Sequence, residues 1–164
     1  MIDEKLNRNR LKKAKIASKI LAHFPFVRCV ILNGSLAQNK SKKGSDIDLL
    51  IVAKTKRIFS ARFFIVAFAS IFGIKRSHDI NRDHSGKFCF NCFLTEDYLR
   101  IPTGRGREID QYCADNYSHS LFMAGDPEVF NKFIEVNTKL FQKYVYRSDR
   151  IKIKPSIGKN KYSV

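Results

Sequence analysis

Two aspartates, Asp46 and Asp48, stand at the head of an apolar run, DIDLLIVA, that ends at Ala53. On a β-strand, residues two apart project from one face with Cα atoms roughly 6 to 7 Å apart, so both carboxylates can share hard divalent cations. Upstream, Gly34-Ser35 breaks another apolar run. A glycine at such a turn lets the backbone approach a phosphate, and exposed amides and the Ser35 hydroxyl can donate to its oxygens. Mg²⁺ commonly binds through one or two carboxylates plus substrate phosphates, so the two pieces together describe a triphosphate site. With two ions roughly 3.5 to 4 Å apart, one activates an attacking hydroxyl and the other stabilises the leaving pyrophosphate, which is nucleotidyl transfer. Each piece alone is ordinary, since Gly-Ser is a common turn and a strand-entrance Asp is often a cap or a solvated charge.

These residues need strands behind them. Phe26 to Leu32 (FVRCVIL) and Asp46 to Ala53 both read as short buried strands, and the first is broken by Asn33-Gly34-Ser35. Before them, residues 4 to 24 carry Leu6, Leu11, Ala14, Ala17, Ile20, Leu21 and Phe24 at helical spacing with a lysine-rich outer face, and Pro25 stops the helix. Residues 57 to 73 read as a buried helix, too apolar for an open surface and closed by Gly73. Lys87 to Leu94 reads as a third strand whose alternation puts Phe88, Phe90, Cys92 and Leu94 on one face and Cys89, Asn91 and Phe93 on the other. A helix is expected over about Glu108 to Met123. Asp126-Pro127-Glu128 then starts a last helix, with Val129, Phe130, Phe133, Ile134, Leu140, Phe141 and Tyr144 on its inner face.

Composition narrows the partners. The 164 residues suffice for one domain, expected to run through residue 146 with a basic tail over 147–164. Lys and Arg total 31 against 15 acids, net +16, and the excess sits at the ends: +9 over residues 1–43 and +5 over 147–164. Basic ends suit RNA or DNA, and they also read as solvated faces. Residues Met1 to Lys13 lack the apolar core of an export signal, and the 4 cysteines in a chain with its own core point to reduced thiols in the cytosol. Ile58 to Ile74 is too short and interrupted for an integral membrane segment.

In order and spacing, Val30 to Ser35, Ala37 and Ser45 to Val52 resemble the nucleotidyltransferase superfamily that includes DNA polymerase beta and the minimal bacterial nucleotidyltransferases. Asn39 stands where that family often has a loop glycine, and asparagine also tolerates a left-handed backbone. The whole chain is similar to an uncharacterised bacterial branch in which an Arg-bearing apolar helix and a Cys-x-Asn strand follow. The resemblance implies an α/β fold, a short mixed sheet flanked by helices, here with a C-terminal helical pair. It implies that Gly34 and Ser35 hold the triphosphate and that Asp46 and Asp48 bind Mg²⁺ or Mn²⁺. The family's third carboxylate lies on a later strand, and the inward polar residue of the matching run is Asn91, an amide that cannot serve as general base. Asp79, Asp83, Glu96 and Asp97 are alternative sources of the missing acid.

The expected activity is transfer of a nucleoside monophosphate from an NTP to a hydroxyl of RNA, DNA or a protein partner, since a +16 chain disfavours cationic acceptors. The alternative is a weakened nucleotide- or nucleic-acid-binding regulatory module. A third reading, a peripheral membrane protein, requires the Ile58 to Ile74 face to be exposed. Cys89-x-x-Cys92 reads as buried packing thiols on opposite faces of a strand, with a zinc site drawing on His78, Asp79, Asp83 and His84 as the lesser reading. Arg62 is expected to pair with a buried acid or reach toward phosphates, and Thr103 to Arg107 could bind an anion. The helical spacing of Tyr112, Tyr117, Phe130, Phe133, Phe141, Tyr144 and Tyr146 makes them core before base-stacking platforms.

Overall fold

A computed structural model describes residues 4–76 and 85–145, apart from the side chain of Asn91. The expected tail over 147–164 and Tyr146 lie outside the described residues. Helix α1 (Glu4–Ala22) ends before Pro25, and β1 (Val27–Asn33) runs into a single helical turn, α2 (Gly34–Ala37). Then come β2 (Ile47–Ala53), α3 (Ile58–Ile71), β3 (Phe88–Thr95), α4 (Arg107–Ser118), β4 (Leu121–Gly125) and α5 (Pro127–Tyr144). The four strands form one sheet in the order β3-β2-β1-β4; β1 pairs antiparallel with β2 and β4, and β2 pairs parallel with β3. The sheet is mixed and flanked by helices, with α4 and α5 packed together as the expected C-terminal pair.

The central strands β1 and β2 are buried on both faces, which explains their near-continuous apolar sequences. On one face Val30, Leu32, Leu49, Ile51 and Phe88 pack with Ala14 and Leu21 of α1 and Ile65 of α3. On the other, Cys29, Ile31, Leu50, Val52 and Leu94 pack with Ala114 and Tyr117 of α4 and Phe133 and Phe141 of α5. Tyr117, Phe133 and Phe141 are therefore core residues, as their spacing suggested, whereas Tyr112 of the same set is 70% exposed on the outer face of α4 and is not.

Three expectations are corrected. The helix read to Met123 stops at Ser118, because Leu121–Gly125 pairs with β1 as an edge strand. Gly125 enforces that approach: a Cβ there would lie 2.4 Å from the Arg28 carbonyl oxygen. Helix α3 is not buried: only Ala61, Ile65 and Ala69 face the sheet, while Phe59, Phe63 and Ile71 are 84%, 68% and 80% exposed. A helix hydrophobic all round has been laid on an edge, so one of its faces has no cover within the described residues. On β3, a bulge breaks the expected alternation. Asp48 pairs with Cys89 and Leu50 with Cys92, so three steps on β3 match two on β2. Cys92 and Leu94 consequently pack toward α4 and α5, and Phe88, Phe90 and Phe93 toward α1 and α3. Cys89 and Cys92 thus share a face rather than opposing each other, and both are free thiols.

Between β3 and α4, the chain is clamped by Asn137, 2% exposed on α5. Its side chain accepts from Ile101 N at 2.9 Å and donates to Leu99 O at 2.9 Å and Phe133 O at 2.8 Å. Asn137→Ala should lower stability by about 2 to 3 kcal/mol, since it strands a buried amide and leaves a void. Urea unfolding checks this, and a loss under 0.5 kcal/mol would show the loop bonds carry little.

Candidate active site

The Gly34 turn and the Asp46 carboxylate come together at one end of the sheet. Asn33 pairs with Asp48 across β1 and β2, and Asp48 pairs with Cys89 across β2 and β3, so these three side chains form a row on one face. Gly34 follows with φ +72°, and a Cβ there would meet Asp48 Oδ2 at 2.2 Å. The glycine is required twice, for the left-handed backbone and for the carboxylate pressed against it. Asn33 is fully buried, and among the described residues neither its Oδ1 nor its Nδ2 has a hydrogen-bond partner. Ser35 is half-buried in the same turn, with its carbonyl accepting from Lys40 N at 2.8 Å.

The loop from α2 to β2 is held from α1. Arg10, 4% exposed, donates to Ser41 Oγ at 2.6 Å, to the Lys42 and Lys43 carbonyls, and to Ser85 Oγ at 2.9 Å. Asn7 Nδ2 donates to Asn39 Oδ1 at 2.9 Å, and Asn39 adopts the expected left-handed backbone at φ 56°. Part of the N-terminal basic charge therefore builds the loop instead of lining a surface.

Asp46, Asp48 and Cys89 are half-buried, and each offers a ligand atom within 4.8 Å of the others. Burial first, and then the Asp46 charge, push the Asp48 carboxyl from 3.8 up to about 6, while a hydrogen bond with Cys89 and the Arg76 charge pull the other way. Burial likewise raises the Cys89 thiol to about 11, reinforced by Asp48 and Asp46. Arg76 Nη1 donates to Asp46 Oδ2 at 2.8 Å and lies 4.0 Å from Cys89 Sγ. Its backbone is fixed alongside β3, with Arg76 N donating to Phe88 O at 2.8 Å. The sequence reading missed Arg76 and Cys89; a cation shortly before the third strand was the available signal for the first.

The remaining candidates are not at this site. Arg62 stacks on the Phe93 ring, its guanidinium carbon 5.3 Å from the centroid. Glu96 pairs with Arg28 at 2.8 Å beyond the far end of β3, where Thr95 meets Ala53, so neither it nor Asp97 supplies a third acid. In the 103–107 loop, Gly104 N donates to both Asp110 oxygens, at 3.0 and 3.1 Å, and is not offered to an anion. Asn91 lies on β3 within the bulged stretch, and its side chain is outside the description, as are His78, Asp79, Asp83 and His84.

The donor set suits a divalent cation beside phosphates: two oxygen ligands, a third donor, a turn that a Cβ would fill, and an orphaned buried amide in the same row. Paired carboxylates thus stand at one end of the sheet against a Gly-Ser turn, on an α/β fold. The chain belongs to the polymerase beta nucleotidyltransferase family, whose pattern matches residues 15–99. No curated protein matches the chain. Among solved structures, a toxin-antitoxin crystal structure with AMP-PNP is 14% identical, covering 87% of this chain and 91% of that one, with a TM-score of 0.40. A double mutant of the toxin-antitoxin MntA-HpeT is also 14% identical over the same shares, with a TM-score of 0.42. No described helix is long and apolar enough to cross a membrane.

Removing the guanidinium tests whether Arg76 holds the carboxylates in their cation-free state. Arg76→Ala should alter Mn²⁺ affinity by about tenfold: upward if Arg76 competes with the ion, downward if it first gathers the ligands. Its salt bridge with Asp46 favours competition, because one positive charge must leave as another arrives. Equilibrium Mn²⁺ titration reads the sign, and an unchanged affinity would mean that Arg76 is a bystander.

Proposed function

We propose that this protein transfers a nucleoside monophosphate from an NTP to a hydroxyl acceptor, using Mg²⁺ or Mn²⁺ held by Asp46 and Asp48. The observation that carries the reading is the contact between Gly34 and Asp48, which sets the Gly-Ser turn directly against a metal-competent carboxylate. Gly34 brings the backbone close to the triphosphate, the Ser35 hydroxyl donates to a phosphate oxygen, and the Asn33 amide supplies the buried polar contact for what enters. The divalent ion supplies charge neutralisation at the phosphates and activation of the acceptor hydroxyl. Asn91, assigned by resemblance to the third-ligand position, would contribute an uncharged contact. RNA or DNA fits the basic ends, and a protein hydroxyl fits the overall charge.

Label transfer tests this. With α-labelled NTPs, Mg²⁺ or Mn²⁺, and total RNA, DNA and protein as acceptors, label should pass to one class. Transfer should vanish when Asp46 and Asp48 are both replaced by Asn. Metal-dependent NTP binding without transfer would favour a regulatory binding module, the reading that Asn91 in place of a third carboxylate motivates. Absence of both would overturn the proposal. The exposed α3 face meets the condition set for peripheral membrane contact and uses different residues from this site.

A further inference from the structure

Resting on that reading of the site, we infer that Cys89 is a ligand of its cation and gives the site a preference for borderline, thiophilic divalent ions over Mg²⁺. Three observations support it. Cys89 stands in register with Asp48 on the neighbouring parallel strand, the place from which a third ligand can reach an ion held by β2. Its sulfur lies within 4.8 Å of an oxygen from each aspartate, closing a three-donor set. A positive group already uses this set: Arg76 Nη1 is 2.8 Å from Asp46 Oδ2 and 4.0 Å from Cys89 Sγ, a cation lodged between an oxygen and the sulfur.

Donor chemistry then sets the preference. Mg²⁺ demands oxygen ligands and sheds water reluctantly. Zn²⁺ and Co²⁺ accept mixed oxygen and thiolate sets, with thiolate bonds to zinc near 2.3 Å. On binding, the Cys89 S–H bond breaks, its proton passes to solvent, and the sulfur electron pair forms the metal bond. Nothing is oxidised or reduced. Plain alternation after Phe88 sets Cys89 beside Asp48, and the bulge that follows brings Cys92 onto the same face, where it packs into the core.

The test uses Co²⁺ as the probe, on the full chain under reducing conditions. The wild type should bind Co²⁺ with a thiolate-to-metal charge-transfer band in the near ultraviolet. Cys89→Ser should remove the band and weaken Co²⁺ on the order of 100-fold, the upper end of what ligand-shell losses cost. Cys113→Ser should keep both. Cys89→Asp should shift the competition toward Mg²⁺, so that less Mg²⁺ displaces Co²⁺ than in the wild type. This gain does not arise from misfolding. Co²⁺ bound without the band, or a band that survives Cys89→Ser, overturns the role of Cys89 while leaving the carboxylate site standing. Co²⁺ binding that also ignores replacement of Asp46 and Asp48 by Asn removes the site itself.

Discussion

Gly34→Ala should lower transfer on the order of 100-fold, the scale of loss for reacting groups displaced by about an ångström. A Cβ at this position meets Asp48 Oδ2 at 2.2 Å, Asp48 Cγ at 3.0 Å and Asp48 Cβ at 3.2 Å. The carboxylate must swing away or the turn must retreat, and either motion separates the phosphate-binding backbone from the metal ligand. A second cost is local, because φ +72° in a non-glycine residue is unfavourable by about 1 to 2 kcal/mol. The two costs separate in a double-mutant cycle. In an Asp48→Ala background the oxygen overlap disappears, so Gly34→Ala should cost little beyond the backbone term. Equal destabilisation in both backgrounds, measured by urea unfolding, would show that the Gly34 and Asp48 contact is not what fixes the glycine.

Asp48→Asn should abolish transfer and yet stabilise the fold. Burial and the neighbouring Asp46 raise the Asp48 carboxyl from 3.8 to about 6, so the folded protein holds this proton more tightly than the unfolded chain does. Ionised Asp48 therefore costs stability. The cost is absent below the unfolded value near 3.8, grows through the interval, and is complete above about 6. A shift of about two pH units corresponds to roughly 3 kcal/mol as an upper bound. The stability gap between Asp48→Asn and wild type should thus be small near pH 4 and widen to roughly 2 to 3 kcal/mol by pH 7. A gap independent of pH, or a less stable variant, would mean that the Cys89 and Arg76 contacts outweigh burial. A carboxylate kept at such cost is expected at a functional site, where a cation relieves what folding alone does not.

How much was legible follows from how local each feature is. The apolar runs behind Val30 and Leu49, the Pro25 and Gly73 stops, the Asp126 cap and the left-handed Asn39 are written in neighbouring residues, and the structure keeps all of them. The edge strand Leu121–Gly125 was hidden because its apolar residues continue a helical pattern, and only pairing with β1 decides between the two periods. The exposed face of α3 was hidden for the opposite reason: its composition demands burial, but composition does not say how much sheet is available to cover it.

Within the site, the sequence by itself determined the Gly34-Ser35 turn and the Asp46 and Asp48 pair. These lie on one antiparallel hairpin of strands, where short separation and period-two alternation fix geometry. Tertiary structure alone decided that Asp48 presses on Gly34, that Arg76 reaches Asp46, and that Cys89 becomes the third donor. The parallel strand β3 returns through a long connection, so its register with β2 is set by packing on both faces of the sheet and by one bulge. A slip of one residue would have turned Cys89 away.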